Sequence, residues 1–161
     1  MIILVMGVTG SGKSTVGKML ADSLHWEFSD ADSFHPQANI EKMRQGIPLD
    51  DADRGPWLQA LHQAIGRWLQ EEKNVVLACS ALKSSYRQLL FQDRLRMRLI
   101  YLEGSLELLE SRLAQRQNHF MNQSLLQTQL DTLEEPEEGV RIDVAKPPEV
   151  IVQQIKRSLE L

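Results

Sequence analysis

Gly7-Val8-Thr9-Gly10-Ser11-Gly12-Lys13-Ser14 stands directly behind the apolar run Ile2-Ile3-Leu4-Val5-Met6. The first stretch satisfies G-x-x-x-x-G-K-[ST], the phosphate loop. An apolar strand feeding a glycine-rich turn and then a helix aims successive backbone N–H groups, and the positive end of the helix dipole, at a phosphate chain. Gly7, Val8, Thr9, Gly10, Ser11, Gly12, Lys13, Ser14 and Thr15 therefore form a candidate nucleotide-binding segment. In it Lys13 reaches the β- and γ-phosphates, and the Ser14 hydroxyl supplies an oxygen to the accompanying Mg²⁺.

Outward from this loop, strand and helix signals alternate. A helix is predicted from Lys13 to about Leu24, with Val16, Met19, Leu20 and Leu24 on one side, and a short strand at Trp26-Glu27-Phe28. Pro36 to Pro56 reads as a structured excursion with at most a short helix around Asn39 to Arg44, and a stronger helix follows from Trp57 to Leu69. Strands are expected at Asn74–Cys79, Arg98–Leu102 and Val140–Val144, and helices at Ser105 to about Arg116, Gln123–Leu133 and Pro148–Leu159. The pattern predicts an α/β fold of the P-loop NTPase type, a parallel sheet flanked by helices with ligands at the carboxyl ends of its strands.

The 161 residues, 42% of them hydrophobic, suit one domain spanning 1–161. A net charge of −4, without a basic run interleaved with aromatics, argues against nucleic acid as a partner. Ile2–Met6 is too short for a signal peptide or a membrane span, so a cytoplasmic protein with no membrane partner is expected. The one cysteine, Cys79, closes an apolar run and reads as a small buried side chain. Trp57 and Trp68 read as core or dimer contacts, and the Glu134-Glu135-Pro136-Glu137-Glu138 run as a solvated turn.

A GTPase would carry an Asn-Lys-x-Asp guanine motif, and a motor ATPase would close an apolar strand with Asp-Glu; here the Asn74–Cys79 strand runs into Ser80-Ala81. Instead Ser29-Asp30-Ala31-Asp32 follows the second strand. Alternating carboxylates at a strand end can face a metal on one side and a hydroxyl substrate on the other, which suits a small-molecule kinase. The plainer reading is that both cap a turn. Arg112 and Arg116, four apart on a predicted helix, share a face and lead into Gln117-Asn118-His119-Phe120-Met121. Two guanidiniums there would form part of a small helical lid, at about residues 117–123, that neutralises charge during transfer and excludes water. The plainer alternative is a solvated face paired with Glu107 and Glu110.

Together with the phosphate loop, several blocks resemble the bacterial gluconokinases, P-loop small-molecule kinases with a nucleoside monophosphate and shikimate kinase-like fold. They are Asp30-Ala-Asp32-Ser-Phe-His35-Pro36, Asn39-Ile-Glu-Lys42-Met43, Gly46 to Leu58 with its Asp-Arg-x-Pro-Trp-Leu core, Cys79-Ser80-Ala81-Leu82-Lys83, Tyr86-Arg87 and Arg112 to Met121. The likeness spans residues 2 to about 136. Gln88, Phe91 and Thr128 depart from the family pattern at positions that look peripheral to the chemistry. The resemblance implies ATP- and Mg²⁺-dependent phosphorylation of D-gluconate at its 6-hydroxyl, and a homodimer. It implies Lys13, Asp32, Arg112 and Arg116 as catalytic residues, and Asp32, His35, Arg54, Lys83 and His119 as substrate contacts. Asp30 and Ser14 would hold the metal, although the roles of Asp30 and Asp32 are interchangeable on sequence alone. Two rivals stand beside this reading. One is another kinase of the fold, such as a shikimate kinase; the other is a non-catalytic ATP-binding sensor, which would be expected to lack the Asp pair or the lid arginines.

Overall fold

The structure, a computed structural model, describes residues 1–115 and 123–161, the side chains of 123 and 124 excepted. Its sheet has five parallel strands, β1 (Ile2–Met6), β2 (Glu27–Asp30), β3 (Val75–Ala78), β4 (Met97–Glu103) and β5 (Val140–Asp143), in the order β2-β3-β1-β4-β5. Leu4 of the central strand β1 is flanked by Leu77 and Leu99, and all five β1 side chains are buried. That explains the unbroken apolar run: a strand covered on both faces has no polar face to alternate with.

Alternation along β1 divides the core in two. Ile2, Leu4 and Met6 point to the side covered by α3 (Asp51–Gln70) and α4 (Ser84–Leu90), where Trp57, Leu61, Ile65 and Leu90 pack. Ile3 and Val5 point to the side covered by α1 (Lys13–Leu24) and α7 (Pro148–Leu159), against Val16, Leu20, Ile151 and Ile155. A third cluster, Val8, Leu82, Leu109, Leu113 and Leu126, joins α5 (Leu106–Ala114) and α6 (Gln123–Thr132) to the phosphate loop. Because α1 leaves β1 on one face and α4 follows β3 on the other, the adjacent carboxyl ends of β1 and β3 open a crevice at a topological switch point.

Two elements differ from the sequence reading. The helix expected from Trp57 begins at Asp51, six residues earlier, because Asp50 and Asp53 form a reciprocal capping box: Asp53 N–H donates to Asp50 Oδ1 at 2.7 Å and Asp50 N–H to Asp53 Oδ2 at 3.1 Å. Pro56 removes only the hydrogen bond that would reach back four residues, so the strong cap carries the helix through it. Helix α4 was not anticipated; it is short, and only Tyr86 and Leu90 of its seven residues are buried, too few to register as a periodicity. A helix at α2 (Gln37–Arg44) matches the short one expected. The lid expected over about 117–123 lies outside the described residues except for its last residue, which opens α6. No helix among the described residues is long and apolar enough to cross a membrane.

Candidate active site

The phosphate loop leaves β1 and turns into α1 through Gly10 at φ +84° and Gly12 at φ +90°. A side chain is strained at such angles, and a Cβ on Gly10 would stand 3.1 Å from the Leu109 carbonyl oxygen. Lys13 Nζ donates to the Val8 carbonyl at 3.1 Å, which lays the ammonium back over the loop. Thr9 Oγ1 and Ser11 Oγ are buried, with no hydrogen-bond partner among the described residues. Buried hydroxyls are rarely left so, and a phosphate chain offers the acceptor oxygens they lack. Arg112 crosses the start of α1: one nitrogen donates to the Val144 carbonyl, and another lies 3.9 Å from where a Cβ on Gly12 would stand. Thr15, Gln115, Lys146 and Pro148 continue this cleft away from the sheet.

Asp30 ends β2 and serves two ends at once. Its Oδ1 accepts from the Asp32 N–H at 2.9 Å, capping the 3₁₀ turn Ala31–Phe34, while its Oδ2 accepts from Ser14 Oγ at 2.7 Å. The turn-capping reading and the metal reading therefore fall on different oxygens of one carboxylate. Ser14 and Asp30 form an adjacent all-oxygen donor pair, the ligand type that Mg²⁺ takes. Asp32 does not continue the strand but sits in the turn, so its direction comes from the turn and not from strand alternation. Its carboxyl is pushed up to about 6, chiefly by burial and then by the charge of Asp30, with Lys13 pulling the other way.

Next to this pair opens a narrow cleft walled by Asp32, His35, Arg54, Trp57, Ser80, Thr128 and Gln129 among others. Trp57 Nε1 donates to the Ala31 carbonyl at 2.7 Å, tying α3 to the turn that presents Asp32. His35 stacks on Trp57 with ring centroids 4.5 Å apart and planes 8° from parallel. Burial, with help from the Arg54 charge, holds the imidazole down at about 4, so it is neutral near pH 7. Gln129 Oε1 accepts from the Thr9 N–H at 2.7 Å and links α6 to the phosphate loop.

Of the two cations expected at the substrate, Arg54 lines the cleft and Lys83 stands at the start of α4. Arg54 faces the cleft, and its guanidinium donates to Tyr86 Oη at 3.1 Å; Tyr86 in turn donates to Asp51 Oδ1 at 2.5 Å. Lys83 Nζ pairs with the same Asp51 oxygen at 2.9 Å and is not among the cleft walls. Thus Asp51 reaches Arg54 through a phenol and meets Lys83 directly. Its carboxyl is held below the usual range first by the Tyr86 hydrogen bond and then by that of Lys83. Arg116 and His119 lie outside the described residues.

Several cleft residues escaped the sequence reading. Thr128, taken as peripheral, lines the cleft beside Asp32, because α6 folds back over the phosphate loop. Ser80, Gln129 and the Trp57 indole were also missed as cleft walls, and Tyr86 as the bridge behind Arg54. The only signal was their place inside or near the resembling blocks. Cys79 is buried, and its thiol is pushed up to about 12 by burial, in keeping with a packing role.

The shikimate kinase family profile matches residues 9–159. A probable gluconokinase of Xenopus tropicalis is 46% identical over 99% of this chain and 94% of its own length. The thermoresistant gluconokinase of Escherichia coli (strain K12) is 44% identical over 94% of this chain and 89% of its own. A crystal structure of a gluconokinase from Sinorhizobium meliloti 1021 superposes with a TM-score of 0.86 at 46% identity, covering 98% of this chain and 90% of that one. The family profile is the broader statement and the near-full-length identities the narrower one: the chain belongs to the shikimate kinase family of P-loop kinases and, within it, to the gluconokinases.

Proposed function

We propose that this chain transfers the γ-phosphoryl group of ATP to the 6-hydroxyl of D-gluconate, giving 6-phospho-D-gluconate and ADP, with Mg²⁺ as the companion ion. The observation that carries the reading is the half-buried Asp32 carboxyl, one turn from the Ser14–Asp30 pair and in the same cleft as His35 and Arg54. Gluconate offers a terminal primary alcohol, a row of hydroxyls and a carboxylate at its far end. A cleft with a carboxylate near the phosphate loop and a guanidinium in its wall matches that distribution of groups.

Asp32 acts as the base. Its carboxyl, pushed up to about 6, is ionised near pH 7 yet basic enough to accept a proton. The acceptor hydroxyl gives its proton to Asp32 as its oxygen bonds to the γ-phosphorus, and the bond from that phosphorus to the ADP oxygen breaks. Bound Mg²⁺, held by Ser14 and by Asp30 either directly or through water, would supply positive charge to the phosphates. Lys13, Arg112 and Arg116 supply the rest of that charge. His35, Arg54 and His119 hold the sugar acid, with Lys83 set behind Arg54 on Asp51, Arg54 being the residue best suited to its carboxylate because a guanidinium matches two oxygens at once.

The test is ADP release, coupled to an indicator reaction, with Mg-ATP and either D-gluconate, shikimate, a nucleoside monophosphate or no acceptor. Gluconate-dependent turnover that collapses in Asp32→Asn is the expected result. Turnover with shikimate alone would leave the kinase fold and remove the gluconate assignment, and nucleotide binding without turnover on any acceptor would favour a sensor.

A further inference from the structure

Asn39 is a buried polar residue, 3% exposed, on α2 behind the cleft. Its Nδ2 lies 2.8 Å from the Asp53 carbonyl oxygen on α3 and 3.1 Å from His35 Nδ1. The carbonyl can only accept, so the Asn39 nitrogen, and not its oxygen, must face it. Turning the amide over would set two oxygens against each other in a buried site. The same nitrogen, a donor only, then spends its second hydrogen on His35 Nδ1. A lone pair must stand there, and in a neutral imidazole the proton is consequently on Nε2. Among the described residues nothing is hydrogen-bonded to that Nε2–H.

We propose that Asn39 is a positioning residue that locks His35 as the Nε2–H tautomer, so that the imidazole donates to the acceptor hydroxyl and leaves that hydroxyl's own proton for Asp32. A hydroxyl has one hydrogen and two lone pairs. If Nε2 carried a lone pair, it would compete with Asp32 for that hydrogen; as an N–H it engages a lone pair and the O–H remains for the carboxylate in the same cleft. Stacking on Trp57 and the Asn39 bond together fix both the plane and the edge of the ring. The Lys42–Asp53 ion pair at 2.9 Å adds a second tie between α2 and α3 beside the Asn39 contact. Burial first, and then the charge of Arg54 on α3, keep the ring neutral against the opposing pull of Asp30 at the end of β2. This inference deepens the kinase reading and rests on it for the identity of the acceptor.

The decisive measurement is ¹⁵N–¹H correlation spectroscopy of the histidine side chains in the intact protein at pH 7.5, with His35 assigned by the loss of its signals in His35→Gln. The expected spectrum has a pyridine-like Nδ1 and a pyrrole-like Nε2, and addition of gluconate slows exchange of the Nε2 proton with solvent. A protonated Nδ1, or an Nε2–H exchange rate indifferent to gluconate in an enzyme that turns gluconate over, would overturn the proposal. Asn39→Leu removes the donor without setting an oxygen against the Asp53 carbonyl. It should release the lock, so that Nδ1–H becomes populated, and lower kcat by roughly 10- to 100-fold with the KM for ATP unchanged; a tautomer unchanged by the substitution, or a released one with undiminished kcat, would refute the role in orientation. If gluconate is not a substrate, the tautomer in the free protein still tests the Asn39 lock, so the two failures remain distinguishable.

Discussion

Replacing Asp32 by Asn should make the protein more stable and nearly inactive, and the stability gain should depend on pH in a defined direction. The folded state holds the Asp32 carboxyl at about 6 against an ordinary value of 3.8. A raised carboxyl means that ionisation destabilises the fold. The penalty is absent below about pH 4, grows as the pH rises to about 6 and is complete above it. The interval from 3.8 to about 6, at about 1.4 kcal/mol per pH unit, sets its ceiling at about 3 kcal/mol. In a chain of this size that corresponds to roughly 6–12 °C in Tm. Asparagine keeps the shape of the protonated acid without the charge. Urea and thermal unfolding of both proteins from pH 4 to 8 should therefore show curves that meet near pH 4 and separate towards pH 7. Meanwhile kcat should fall by about 10²- to 10⁴-fold, the usual contribution of a positioned base. A stability difference that is absent at pH 7, or that does not change with pH, would falsify the account of Asp32 as a carboxylate strained by burial and by Asp30.

His35 works in the opposite sense, and its effect is best read in the Asp32→Asn background, where the Asp32 contribution is gone. With the imidazole at about 4 in the fold against 6.5 unfolded, stability is complete above pH 6.5 and is lost as the pH falls through 4. The loss reaches about 3 kcal/mol, and adding His35→Gln should abolish that acid limb in urea titrations. Trp57→Phe removes the indole donor from the buried Ala31 carbonyl and should cost about 1–3 kcal/mol in urea unfolding, with kcat reduced more than the affinity for ATP because the turn that presents Asp32 loses its tie. Cys79, buried with its thiol pushed up to about 12, should resist alkylation at pH 8 in the native protein and react once the chain is unfolded in urea; rapid native labelling would contradict its packing role.

The phosphate loop, the central strand and the parallel α/β order were legible because they depend on local rules. Ile2–Met6 has no polar face since both its faces are covered, and Gly10 and Gly12 stand where the backbone takes positive φ. The beginning of α3 was hidden by Pro56, whose helix-breaking tendency is overridden in the fold by the Asp50–Asp53 cap. The Asp30–Asp32 pair was visible, but not that one Asp30 oxygen caps the turn holding Asp32 while the other meets Ser14, sixteen residues away in the chain.

What the sequence determined by itself was the kind of chemistry: residues adjacent along the chain make the phosphate loop, and its spacing alone specifies a turn, a helix start and a lysine over phosphate. What only the tertiary structure decided was how the acceptor side is set. Asn39, His35, Asp53, Trp57 and Ala31 form one chain of contacts across the turn after β2, α2 and α3, while Asp51 joins Lys83 to Tyr86 across α3 and α4. The directions of these hydrogen bonds depend on which donors and acceptors meet in three dimensions. No local periodicity encodes such a meeting, because the groups come together only when helices on one face of the sheet pack over its carboxyl edge.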